Sequence, residues 1–425
     1  MYLIAIHVPI HVDQSKYYLS TEWLKSVRLL RDSFAGRYGP INIIAPSHPY
    51  DPDNASQTLE EVVPSEEDIE VFPSFDSRCR SRHYWLQHRR RWQQELKDLV
   101  SDADVVHAGL DDVYRPISYE GFLEGRRQNK ATVFVQDTDI ALQTRQLSTN
   151  RPPMHRLRAA GYANIFERLC RDAVSTASLS MLKGTRLMNR YGPYQKNAQL
   201  FHDTSYSIED IVDEDFILMR CERLRHRLLD GGPLRFMYCG RLTPRKGLVD
   251  SIEIIAKVVA MGGNVQFDII GDGEQRDELQ TRIDALHLND RVRLLGNVAY
   301  GPELFDQIRQ YDALLFTPLA EDTPRMIFDA YAAGLPLIAY DIDYVVERKT
   351  EEDAALVLPN GDIDGSAEAI LSLTQQPHNI TTLSFAARDA AEYHASENWY
   401  FRRAQWTIEA VDRHRLASGV TTIGV

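Results

Sequence analysis

Residues 313–340 constrain this chain most. Ala313 to Pro318 is an apolar run and Leu335 to Tyr340 is another. Between them stands Glu321-Asp-Thr-Pro-Arg-Met-Ile-Phe-Asp329-Ala-Tyr-Ala-Ala-Gly334. Pro324 suits the first turn of a helix, where its fixed φ and missing N–H do no harm. Gly334 suits the position just past a helix end. The spacing therefore predicts strand, helix, strand, with the helix N-terminus at the carboxyl end of the first strand. Such an end attracts anions and hydroxyls.

A second stretch points the same way. Leu234 to Cys239 is an apolar-rich strand that runs into Gly240-Arg241-Leu-Thr-Pro-Arg-Lys246-Gly247. Leu248, Ile252, Ile255 and Val259 then fall on one helical face. A strand, a glycine, Arg and Lys five residues apart and a helix start describe a diphosphate cradle. Arg offers a planar fork to phosphate oxygens and Lys a point charge.

Such units alternate along almost the whole chain, which implies parallel sheets with helices on both faces. A length of 425 residues suits two domains. In the first half, strands are expected at 2–8, 41–45, 104–108, 131–136, 177–182 and 198–202. In the second half they are expected near 234–239, 264–270, 291–295, 313–318, 335–340 and 354–358. Helical stretches at 383–394 and 399–417 close the chain. The segment from Ser205 to Gly232, ending in Asp230-Gly-Gly-Pro233, reads as the join.

The net charge of −13 argues against a general nucleic-acid binder. Residues 1–200 hold 26 Lys and Arg against 24 Asp and Glu, and the remainder holds 22 against 37. Only the first half suits an anionic acceptor or surface. Cys79, Cys170, Cys221 and Cys239 form no CxxC pair, so neither a zinc site nor a disulfide frame is suggested. No apolar run reaches 18 residues, so no transmembrane helix is expected. The expected location is cytoplasmic, with or without peripheral attachment to the inner face of a membrane.

The two stretches together resemble the C-terminal domain of the retaining GT-B glycosyltransferases of family 4 (glycosyltransferase group 1). Gly240 to Gly247 matches that family's Gly-Arg-Leu-x-x-x-Lys-Gly. Glu321 and Asp329 match its Glu, seven residues, Glu, with Asp in the second place. Gly271-Asp-Gly273 and Leu295-Gly-Asn-Val298 follow the family's order over roughly 234–360.

The resemblance implies two Rossmann-like doubly wound domains facing a cleft. These are 1–205 on the acceptor side, 206–398 binding the nucleotide-sugar donor, and 399–425 as a helix crossing back to the first domain and a tail. It also implies a retaining, metal-independent enzyme with no cofactor. That enzyme moves a sugar from a UDP- or GDP-type donor to a hydroxyl acceptor in polysaccharide or glycoconjugate synthesis. Arg241 and Lys246 would grip the diphosphate and Glu321 the sugar, helped by Asp322, Thr323, Pro324 and Arg325. Asp329 would hold the ribose, Gly240 and Gly271 would admit the nucleotide, and Val298 would touch the base. His107, at a strand end in the first domain, would face the donor sugar.

Other features keep two readings each. Gly271-Asp-Gly273 lacks the third glycine of a dinucleotide fingerprint, since Arg276 stands there. Arg78 to Lys97 carries six arginines with Tyr84, Trp85 and Trp92. That helix either packs its rings inward or docks on a membrane or a lipid-linked or anionic acceptor. Asp137/Asp139 and Asp341/Asp343 each follow a strand, as metal-holding pairs do in GT-A enzymes, but the double-domain pattern opposes that class and no metal site is assigned. Two further functions fit the same scaffold: a nucleotide-sugar epimerase, and a non-catalytic nucleotide or glycan binder.

Overall fold

The computed structural model describes residues 1–51, 59–149, 151–320 and 323–418. Their chain contacts divide into two units, one of Met1–His202 with Trp399 onward, the other of Asp203–Asn398.

In the first unit β1 (Tyr2–Ala5) lies between β4 (Ile41–Pro49) and β7 (Val105–Gly109). Beyond β7 follow β8 (Ala131–Gln136), β9 (Leu179–Lys183) and β10 (Ala198–Phe201), all parallel. The strands are nearly unbroken apolar runs because both faces are covered by helices. The other half of this sheet departs from the sequence reading. β2 (Ile10–Asp13) and β3 (Lys16–Ser20) form a hairpin, and β5 (Leu59–Val62) pairs antiparallel with β3. β6 (Ile69–Asp76) pairs parallel with β4. Residues 9–13 fall outside the strands expected from the sequence, because the alternation there is short and polar. Gln14, at φ +52°, makes the tight turn that brings Asp13 opposite Lys16.

The second unit holds one six-stranded parallel sheet. In chain order its strands are β11 (Leu234–Cys239), β12 (Val265–Ile270), β13 (Val292–Gly296), β14 (Ala313–Phe316), β15 (Leu337–Tyr340) and β16 (Ala355–Leu358). They lie side by side as β13-β12-β11-β14-β15-β16. All six were legible as apolar runs between helical periods. The order reverses between β11 and β14, and ligands bind outside strand carboxyl ends at such a switch point.

The stretch expected to be the join folds instead as a helix, Glu214–Leu229, within the second unit. The unit boundary falls at His202/Asp203 rather than after 205. The last helix runs Ser396–Ala417. From Trp399 on it belongs to the first unit, where Trp399, Ala404 and Val411 share a core with Tyr2, Val105 and Phe201. No helix among the described residues is long and apolar enough to cross a membrane.

Candidate functional site

Backbone hydrogen bonds lace the strand ends together. The Gly240 N–H donates to the Ile270 carbonyl at 2.9 Å, and the Leu242 N–H to that of Asp272 at 2.9 Å. The Gly271 N–H donates to the Gly296 carbonyl at 2.7 Å. Gly271 is demanded by this closeness: at φ +133°, a Cβ there would lie 2.1 Å from the Gly240 oxygen. The loops after β11, β12 and β13 are thus held as one rim.

The loop after β14 joins the same rim. Residues Pro244–Lys246 form a 3-10 turn, and the Leu319 N–H donates to the Arg245 carbonyl at 3.0 Å. The Thr317 hydroxyl donates to the Gly247 carbonyl at 2.8 Å and lies 2.6 Å from the Ser251 hydroxyl. Lys246 is only 7% exposed, and its ammonium sits 5.7 Å from the centre of the Phe316 ring. Arg241 is exposed. One cation is therefore embedded in the rim and the other stands in solvent. An ammonium in a low-dielectric setting exerts a stronger field on an anion than one in water.

Asp329 lies on the helix Met326–Ala332 and is 7% exposed. The Tyr300 hydroxyl, from the loop after β13, donates to Asp329 Oδ1 at 3.0 Å. Burial, and then the Asp329 charge, push the Cys239 thiol at the end of β11 up to about 12. The same two causes push the Tyr300 phenol well above its ordinary range. The carboxylate is thus felt at the end of β11 and in the loop after β13. Arg220 secures the far end of the helix, donating to the Ala333 carbonyl at 2.7 Å and to that of Gly334.

The helix begins at Met326, two residues later than Pro324 suggested, and has seven residues. Thr323 and Pro324 are half-buried, and Arg325 is exposed and donates to the Ser205 hydroxyl at 3.1 Å. Glu321 and Asp322 lie outside the described residues. Val298 is half-buried against the core. The structure thus gathers Gly240, Lys246, Gly271 and Asp329 on one rim.

His107 belongs to the other unit and its setting corrects the strand-end reading. β7 continues to Gly109, and His107 sits inside the sheet between Ile4 and Val133. Its Nδ1 shares a hydrogen bond of 2.9 Å with the Tyr2 hydroxyl. Burial, reinforced by the Arg403 charge, lowers its pKa to about 3 and keeps the ring neutral.

Residues 78–97 divide into buried and exposed side chains. Tyr84, Trp92, Leu96 and Val100 are buried, a four-residue period longer than the α-helical 3.6. A π-helical turn over Tyr84–His88 takes up part of the difference. Trp85 and Leu86 are 46% and 70% exposed. The Arg89 guanidinium lies 4.4 Å over the Trp85 ring, and Arg80, Arg82 and Arg90 are exposed. Asp139, one of the paired aspartates, caps the helix at Leu142 and bonds Arg190 at 2.6 Å.

Tyr300, Thr317 and Arg220 were missed as site residues. Each acts on a group 29 or more residues away, and no local period marks such a pairing. The Val298-Ala-Tyr300-Gly301 turn was the only available hint for Tyr300.

Two doubly wound parallel-sheet units, one with a glycine-laced rim at its strand ends, define the GT-B class of glycosyltransferase fold. Solved structures agree at the level of the fold. Anabaena Alr3699/HepE in complex with UDP superposes with a TM-score of 0.63 at 16% identity, covering 96% of this chain and 100% of that one. WaaG, a glycosyltransferase involved in lipopolysaccharide biosynthesis, gives 0.62 at 12% identity, covering 95% and 99%.

Residues 222–390 match the family described as glycosyl transferases group 1. The amylovoran biosynthesis glycosyltransferase AmsK of Erwinia amylovora is 28% identical over 187 residues, 42% of this chain and 45% of that protein. The alpha-D-kanosaminyltransferase of Streptomyces kanamyceticus is 28% identical over 185 residues, 43% and 47%. In both cases the match spans less than half of the relative's length.

Proposed function

We propose that this protein is a retaining glycosyltransferase that moves a sugar from a nucleoside diphosphate to a hydroxyl acceptor. The observation that carries the reading is the laced rim of the second unit, with a buried ammonium in the turn after β11 and a buried carboxylate on the helix after β14. In this reading Lys246 and Arg241 bind the diphosphate, Asp329 the ribose and Glu321 the sugar. The acceptor oxygen bonds to the anomeric carbon as its bond to the phosphate oxygen breaks. The acceptor proton passes to the departing phosphate on the same face. Negative charge grows on that phosphate, so fixed cations lower the barrier. Lys246 and Arg241 supply positive charge that a metal would otherwise bring, and the scheme needs none.

The acceptor side of the reading rests on the first unit. The exposed Arg80, Arg82 and Arg90, with Trp85 and Leu86 exposed in the same segment, suit an anionic acceptor or the surface of an acidic membrane.

A thermal-shift screen of UDP, GDP and their sugar conjugates tests the donor site, since a ligand of the native state raises Tm. Transfer is then followed with a panel of hydroxyl acceptors, and the product anomer is read by NMR. A new isomer formed from donor alone would instead mark an epimerase. Binding without turnover across the panel would mark a non-catalytic relative.

A further inference from the structure

We propose that Tyr300 is a ribose-binding residue, its hydroxyl completing with Asp329 a two-point clamp for the paired hydroxyls of a ribonucleoside diphosphate. The proposal rests on the donor-site reading above and extends it to a residue and a substrate feature.

The geometry is specific. The Asp329 carboxylate is buried on the helix after β14, within the group of residues that the rim brings together. Tyr300 stands at that rim: the residue is 40% exposed while its hydroxyl donates to Asp329 at 3.0 Å. The phenol proton is committed to the carboxylate, and the raised pKa keeps it in place across the physiological range. A phenol that donates still has lone pairs to offer, and donation to an anion makes its oxygen a better acceptor. The pair therefore presents acceptor oxygens side by side, which suits two neighbouring hydroxyl donors.

The ring is also held. It meets Phe305 edge-on at 5.8 Å between centroids. Its loop lies between Gly296, whose carbonyl is tied to Gly271, and the helix Pro302–Ile308. Tyr300 is thus attached to the rim that carries the proposed diphosphate cations. A nucleoside diphosphate has a charged end for Lys246 and Arg241 and a vicinal diol within one molecule.

The test is calorimetric titration of the full chain with UDP, GDP and their 2′-deoxy and 3′-deoxy analogues. Wild type and Tyr300→Phe are compared, with Tm recorded for both. A hydrogen bond within a charged network typically contributes about tenfold or more in affinity. Wild type is expected to prefer the ribonucleotide to at least one deoxy analogue by about tenfold. Tyr300→Phe should erase most of that preference, weakening the ribonucleotide while leaving the deoxy form unchanged. An equal loss for both forms, an unchanged ratio, or tighter binding of all ligands by the variant overturns the assignment of Tyr300 while sparing the donor site. Failure of wild type to bind any of these nucleotides overturns the donor-site reading and Tyr300 with it.

Discussion

Gly247 and Thr317 are locked together from two directions. The Thr317 hydroxyl donates to the Gly247 carbonyl at 2.8 Å, and a Cβ on residue 247 would lie 1.7 Å from the Thr317 carbonyl oxygen. Gly247 is also at φ +67°. The contact sets how closely the Arg245–Lys246 turn sits against the end of β14.

Gly247→Ala should therefore cost about 2–4 kcal/mol, combining left-handed backbone strain with a clash against main chain. Gly262 serves as a control. It has φ +87°, but a Cβ there would meet nothing within 4 Å, so Gly262→Ala should cost only about 1 kcal/mol. Urea denaturation of the full chain measures both. Equal costs would show that the approach to Thr317 is not tight.

Lys246→Ala should leave the fold intact and lower transfer about 10²–10³-fold, the range seen when one group stabilising developing charge is removed. Arg241→Ala, at an exposed position, should leave Tm unchanged and act chiefly on donor binding. Full activity in Lys246→Ala would refute the cradle assignment.

Arg220 is buried and serves two carbonyls at the end of the Asp329 helix. Arg220→Met would keep the packing and strand those carbonyls, at a cost of about 2–4 kcal/mol. Nucleotide affinity should fall with it, because the helix holding Asp329 loses its anchor. Arg220→Lys should be intermediate, since an ammonium lacks the fork. A variant of wild-type stability would show that water replaces the guanidinium.

His107 gives a pH signature. Its native pKa is lowered to about 3, whereas an unfolded histidine titrates near its ordinary value of about 6.5. Between these values the unfolded chain binds the extra proton and the folded one does not. Stability from this group is full above about 6.5 and is lost progressively as pH falls toward 3. Wild type should therefore lose stability faster than His107→Gln as pH falls from 6.5 to 4.5, by up to about one proton in slope. Identical slopes would mean that the buried ring is protonated in the native state.

The sequence by itself determined the doubly wound class, all six strands of the second sheet, and the glycine-bearing segments that form its strand-end rim. Those strands are buried on both faces, so each appears as a local apolar run, and glycines such as Gly240, Gly247 and Gly334 mark where the chain must turn. It did not determine the hairpin at β2 and β3, whose short polar alternation resembles a loop. Nor did it set the place of His107, which looked terminal until β7 was paired through to Gly109. Only the tertiary structure decided that Tyr300 meets Asp329, that Thr317 fixes Gly247, and that Arg220 caps a helix more than a hundred residues away. Those contacts join distant parts of the chain, and side-chain hydrogen bonds of this kind leave no period or composition along the sequence from which they could be read.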